Sequence, residues 1–246
     1  MIRVEQRGET RVLTISNPAR KGAVTAAMLE QLALEAARPG ARCLVLAGEP
    51  KTFCAGYDLS ALPDTPAAEL PDAVLGRACA ALEESPAPVI AAIGGAAFGA
   101  GFELAAACDF RVAAPGVKLA LPPAKLGLVY SPEGSWRVLR AVGLQKARAL
   151  FLRATTYTSE QLPELVDELA EDPLARALAL AEEICALAPQ SIAGLKRTLA
   201  ALTKAPLDSA DRAALEDLRR RAFSSQDAKE GRDAFLQRRP PKWSGA

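Results

Sequence analysis

The first half of the chain alternates short apolar runs with amphipathic stretches. Residues 2–5 and 11–15 read as two strands joined by a turn at Arg7, Gly8 and Glu9. Asn17-Pro18 ends the second strand, and residues 26–37 carry the spacing of an amphipathic helix closed by Pro39-Gly40. The run CLVLA at 43–47 is apolar at every position, as expected of a parallel strand buried on both faces. A helix follows over 73–84, then a second apolar strand over 89–93. Gly94-Gly95 breaks that strand, and Gly99-Ala100-Gly101 feeds FELAAAC, a good helix former. Strands at 110–113 and 118–121, a turn-rich loop at 126–136 and a long helix at 137–152 complete this half.

From Leu174 onward the pattern is almost wholly helical. Leu174, Leu178, Ala181 and Cys185 share one stripe, Ile192, Leu195, Leu199 and Leu202 another, and Leu215, Leu218 and Ala222 a third. The change from β/α alternation to helices alone places a boundary near Pro189, giving a core over 1–188 and a helical region over 189–246. The proline-rich stretch 60–71 reads as a loop able to cover a pocket.

Composition narrows the chemistry. A net charge of +1 and few aromatic residues point away from nucleic acid and from an acidic membrane surface. The uncharged run 85–102 approaches the length of a membrane span but contains two prolines and four glycines. The charged start is unlike a signal peptide, and five cysteines without a CxxC read as reduced thiols, so the expected location is cytoplasmic. There is no histidine, which removes Ser-His-Asp and Cys-His machinery and the usual His-based metal sites. Acid/base work falls to carboxylates, lysine, tyrosine or cysteine.

The glycine turn at 99–101 is the chemical focus. A helix beginning there presents free N–H groups and a positive dipole end to a phosphate, a carboxylate or a developing oxyanion. Glu103, in the first turn of that helix, is the one charge among 18 uncharged residues before it and five after it. A dinucleotide-binding reading fails on spacing, because the sixth position of a GxGxxG starting at Gly99 is Leu104.

Three stretches carry a resemblance to a known family. FCAGYDL at 53–59 is similar to the first oxyanion-loop motif of the enoyl-CoA hydratase/isomerase (crotonase) family. IAAIGGAAFGAGFELAAACDFRVAA at 90–114 is similar to the second, and NPARKGAVTAAM at 17–28 resembles the family's segment before its first helix. The resemblance implies an α/β spiral of ββα units with a helical C-terminal region that packs subunits into a homotrimer or homohexamer. It implies an acyl-CoA thioester substrate, with coenzyme A entering as part of the substrate and no separate cofactor. Ala55 N–H and Ala100 N–H take the places of the two oxyanion donors, with Lys21, Ala23, Gly56, Tyr57, Asp58, Leu59 and Gly99 around the substrate. Glu103 matches one of the two glutamates with which the family's hydratases activate water.

The second glutamate's place falls at or beside Pro123, where no carboxylate stands, and Glu133 is the nearest substitute. Hydration of a 2-enoyl-CoA by Glu103 with Glu133 assisting is the leading expectation. Δ3-Δ2 isomerisation and non-catalytic acyl-CoA binding are the alternatives. Asp58 also fits a turn cap, Cys54 a buried apolar thiol, Tyr130 and Trp136 a pocket wall or core, and Lys242 a CoA-phosphate contact.

Overall fold

The computed structural model describes residues 1–61, 70, 72–203 and 209–244. The expected covering loop over 60–71 therefore lies mostly outside the described residues. The chain opens with the antiparallel hairpin β1 (Ile2–Arg7) and β2 (Thr10–Ile15), followed by α1 (Ala26–Ala37), β3 (Cys43–Gly48), β4 (Thr52–Cys54), α2 (Ala73–Glu84), β5 (Val89–Ile93), β6 (Ala96–Phe98), α3 (Ala100–Ala107), β7 (Phe110–Ala113) and β8 (Lys118–Ala120). Then come α4 (Pro132–Leu152), β9 (Thr156–Thr158), β10 (Glu168–Leu169), α5 (Pro173–Cys185), α6 (Pro189–Leu202), α7 (Ser209–Phe223) and α8 (Gln226–Leu236).

Two sheets form. The larger runs β1-β2-β3-β5-β7-β10, and every pair beyond the hairpin is parallel. Residue alternation along β3 explains its continuous apolar run. Leu44 and Leu46 face a core with Leu29 and Leu32 of α1 and Leu75 and Leu82 of α2. Cys43, Val45 and Ala47 face a second core closed by Ala177, Ala181 and Ile184 of α5. The smaller sheet, β4-β6-β8-β9, stands beside it and carries the loops of interest.

The uncharged run 85–102 is divided between β5, β6 and the start of α3, in keeping with its prolines and glycines, and no single helix among the described residues is long and apolar enough to cross a membrane. Two sequence expectations change. An extra strand, β6, stands between the Gly94-Gly95 break and the Gly99 turn that opens α3; its three residues are too few to show a period. The long helix begins at Pro132 rather than at 137, so about half of the expected 126–136 loop is helical, and it is kinked at Gly143, whose φ of 72 and ψ of 166 are non-helical. Its start is well specified: Ser131 Oγ accepts from Gly134 N at 3.0 Å, Pro132 occupies the first turn and Glu133 faces the dipole. The α6 stripe has the expected spacing, yet Leu195, Leu199 and Leu202 are exposed in the single chain. That helix is pinned instead by Lys196 Nζ, which donates to Leu82 O, Ala87 O and Asp109 Oδ2 at 3.0, 3.2 and 2.6 Å.

Candidate active site

The site is built where the end of β4 meets the start of α3. All eight residues of α3 are buried, as expected of a helix apolar on nearly every side. Gly101 permits the approach: a methyl there would stand 2.4 Å from Cys54 O and 2.6 Å from Cys54 Cβ. Gly99, with φ +52, turns the chain from β6 into the helix. Gly56 lies on the other side of the same junction, and a methyl on it would sit 3.9 Å from Ala100 N. The loop after β4 and the N-terminus of α3 therefore pack directly against one another, which brings Ala55 and Gly56 beside Ala100.

The Gly101 contact gives a direct test. The atoms a methyl would meet belong to Cys54's backbone and Cβ, which cannot swing aside as a side-chain tip does. Gly101→Ala is expected to cost about 1–3 kcal/mol through overpacking. It also parts the two loops, so a lowered Tm is the expected result. An unchanged Tm measured by calorimetry would contradict this packing.

The segment before α1 clasps the first loop. Ala55 N donates to Lys21 O at 3.2 Å, Val24 N to Gly56 O at 2.9 Å, and Asp58 N to Val24 O at 2.8 Å. Lys21 thus contributes its carbonyl, from a left-handed backbone with φ 50, while its residue as a whole is exposed. Ala23 is buried beneath this clasp. Asp58 Oδ1 accepts from Ser60 N at 3.1 Å and Ser60 Oγ at 2.6 Å, the turn-capping arrangement, at the entry to a short 3-10 turn that begins at Leu59. Tyr57 is half-buried, and burial, then the charges of Asp72, Glu30 and Asp58, raise its pKa. Burial pushes the Cys54 thiol up to about 12, which keeps it neutral and unreactive.

Glu103 is only 2% exposed. Its two oxygens are held separately: Tyr130 Oη donates to Oε2 and Arg137 Nη1 donates to Oε1. Arg137 is in turn gripped by Glu83, whose carboxylate accepts from Nε at 3.0 Å and Nη2 at 2.8 Å. Tyr130 and Arg137 are the partners that sequence reasoning missed. Burial raises the Glu103 pKa, against the lowering influence of Arg137 and of the Tyr130 hydroxyl; Asp72 adds a further upward push. Tyr130 is itself held well above its usual value by burial and by the Glu103 charge, so its hydroxyl keeps its proton.

The sign of this shift has a consequence for stability. A carboxyl whose folded pKa lies above its unfolded value costs stability as pH rises from the ordinary carboxylate range through the folded value. Tyr130→Phe deletes a donor to the charged form and raises the folded value further. The pH window over which stability falls should then extend upward relative to wild type, as read from Tm against pH. A window that stays in place would show that the hydroxyl does not support the Glu103 charge.

Glu133 goes elsewhere. It pairs with Arg212 of α7 and lines a cavity of about 470 Å³ with Trp136, Arg140, Lys196 and Thr203. Trp136 belongs to that wall too, donating from Nε1 to Thr203 O at 2.7 Å. Pro123 is buried in a 3-10 turn (Pro123–Leu126) against which α8 packs. Lys242 lies beyond α8, where its backbone N donates to Glu230 Oε1 at 2.7 Å.

Residues 5–246 match the enoyl-CoA hydratase/isomerase family. The chain belongs to that family. It is 36% identical over 253 residues to "Probable enoyl-CoA hydratase echA6" of Mycobacterium tuberculosis (strain CDC 1551 / Oshkosh), covering 100% of both chains. Among solved structures it is similar to a methylmalonyl CoA decarboxylase, at 25% identity and TM-score 0.88 over 100% of this chain and 98% of that one. An enoyl-CoA hydratase/isomerase from Pseudoalteromonas atlantica T6c is 26% identical, with TM-score 0.87 over 99% of each chain. The crotonase fold of these family members accounts for the two sheets and the C-terminal helices, and family members act on acyl-CoA thioesters.

Proposed function

We propose that this chain hydrates a 2-enoyl-CoA through a thioester enolate, with Glu103 as its one acid/base carboxylate. The thioester oxygen enters between Ala55 N–H and Ala100 N–H, and the N-terminus of α3 adds its positive end. Water attacks Cβ and the carbonyl oxygen takes up negative charge. Glu103 accepts the proton that the water gives up and hands it to Cα, so one water is added and the carboxylate is regenerated. A single carboxylate suffices for this cycle, and Glu133, paired with Arg212, has no part in it.

The observation that carries the reading is the seating of Glu103 in the first turn of the helix that supplies the Ala100 N–H. A carboxylate has about four acceptor positions. Tyr130 and Arg137 use two of them, one on each oxygen, which leaves one on each for water and Cα. The hydratase relative, matched over its full length, supports the same reading. Lys21 and Lys242 are offered as coenzyme A contacts, and exposed Leu195, Leu199 and Leu202 as a face between subunits of a homotrimer or homohexamer.

A second reading, decarboxylation of a malonyl-type thioester, is favoured by the depth of Glu103 and by Pro123 in place of a second glutamate. Loss of carbon dioxide yields the same enolate without a base, and the similarity to the decarboxylase agrees with it. Wild-type protein incubated separately with crotonyl-CoA, 3-hexenoyl-CoA and methylmalonyl-CoA separates these outcomes by mass spectrometry. Hydration adds one water to crotonyl-CoA. Loss of carbon dioxide from methylmalonyl-CoA alone would replace hydration by the second reading. A double-bond shift without a mass change would make the protein an isomerase, and binding with no turnover of any of the three would sink the enzymatic reading.

A further inference from the structure

Glu103 is the inner end of a chain of charges that leads away from the cleft. Tyr130 Oη donates to one Glu103 oxygen and Arg137 Nη1 to the other. Arg137, 5% exposed, gives its remaining edge to Glu83 in a two-bond fork, and Arg140 Nη2 joins the same Glu83 carboxylate at 2.6 Å. Three elements are therefore tied at one guanidinium: α3 through Glu103, α4 through Arg137 itself, and α2 through Glu83. The outer end of the chain reaches the cavity between α4 and α6, where Glu83 is partly exposed.

This arrangement exceeds what simple packing requires. Glu103 could be neutralised by any nearby cation, but a planar fork clamped by a second carboxylate fixes the direction from which the charge is presented. Arg137 always carries its charge, so it cannot relay a proton and can only orient and balance Glu103. We infer that Arg137, anchored by Glu83, is a positioning residue that holds the Glu103 carboxylate as an oriented base. The inference rests on the acid/base reading of Glu103 given above. The groups facing Glu103 are Arg137 and Tyr130 from α4 and the loop before it, and Cys79 and Asp72 from α2 and its start, with Glu83 behind Arg137. Of these, Arg137 is the only cation.

Two substitutions should move the Glu103 titration in opposite directions. Arg137→Gln removes the opposing charge, and the acidic limb of kcat/KM for crotonyl-CoA should rise by about one pH unit or more. Activity at neutral pH falls about tenfold and recovers as pH is raised, and Arg137→Lys restores much of it. Glu83→Gln removes a negative charge from behind the guanidinium, so the limb should move slightly downward while kcat falls through looser orientation. A merely structural role for Arg137 would lower Tm and leave both limbs in place, which would overturn the inference.

The same titration is read without substrate from the Glu103 carboxyl signal in ¹³C-glutamate-labelled protein, assigned by its loss in Glu103→Gln. If Arg137→Gln does not fold, the partly exposed Glu83→Gln decides the matter, with Arg137→Lys, which keeps the charge, as the control that should hold the signal near its wild-type place. A Glu103 signal unmoved in Glu83→Gln would then overturn the inference even with turnover intact. Undiminished turnover in Glu103→Gln would instead overturn the acid/base reading and leave the positioning claim to the carboxyl signal.

Discussion

Replacing Glu103 by glutamine is expected to lower kcat for crotonyl-CoA by about 10²–10⁴-fold, the usual worth of a positioned acid/base group. The substitution keeps the shape of the side chain. The amide oxygen can still accept from Arg137, and the amide nitrogen can donate to the Tyr130 oxygen, so the buried polar groups stay paired. Arg137 also keeps its fork to Glu83. Stability is therefore largely preserved, and removal of a buried charge offsets part of the lost ion pair. Acyl-CoA affinity should hardly change, because in the proposed function the thioester is held by backbone N–H groups that the substitution leaves alone. The signature is a loss confined to kcat. A fall in affinity with kcat intact would mean that Glu103 only shapes the cleft.

The second large effect concerns the two proposed oxyanion donors, which differ in readiness. Ala55 N–H already donates to Lys21 O at 3.2 Å and must be shared with, or released to, an incoming oxygen. Ala100 is the first residue of α3, where an N–H has no partner within the helix. The same position tolerates proline, whose fixed φ suits a first helical turn. Ala100→Pro therefore deletes the donor while keeping the helix. Loss of one such donor costs about 2.7–4 kcal/mol of transition-state stabilisation, or about 10²–10³ in kcat. Circular dichroism should show the helix content retained. Full activity in Ala100→Pro would place the thioester oxygen elsewhere.

Much of this arrangement was legible along the chain because it is local. The two-faced burial of β3 follows from CLVLA; the meeting of the loop after β4 with the N-terminus of α3, which lie far apart in the chain, was legible only through the resemblance of their two motifs to those of the family. What was not legible is what depends on distant partners. Tyr130 and Arg137 stand 27 and 34 residues from Glu103, and no spacing rule links a loop and the next helix to the first turn of α3. Glu133 was expected near Glu103 by its place after the loop. Once Ser131-Pro132 starts the helix, residues 133, 136, 137 and 140 share one helical side. Arg137 reaches inward from it to Glu103 while Glu133 turns to Arg212 of α7. The start of α4 was marked by a serine cap and a first-turn proline, signals outweighed by the turn-forming character of the same residues. The α6 stripe shows the complementary limit: its amphipathic period is plain, but the described residues supply no cover for its leucines.

The central claim is that the thioester carbonyl is polarised between two backbone N–H groups. The most direct test is difference infrared spectroscopy of crotonyl-CoA carrying ¹³C at its thioester carbonyl, bound to wild type and to Ala100→Pro. The account predicts that the carbonyl stretch moves to lower frequency on binding wild type and that Ala100→Pro recovers much of the shift. A bound thioester whose stretch matches that in free solution, or whose shift survives Ala100→Pro intact, would contradict it.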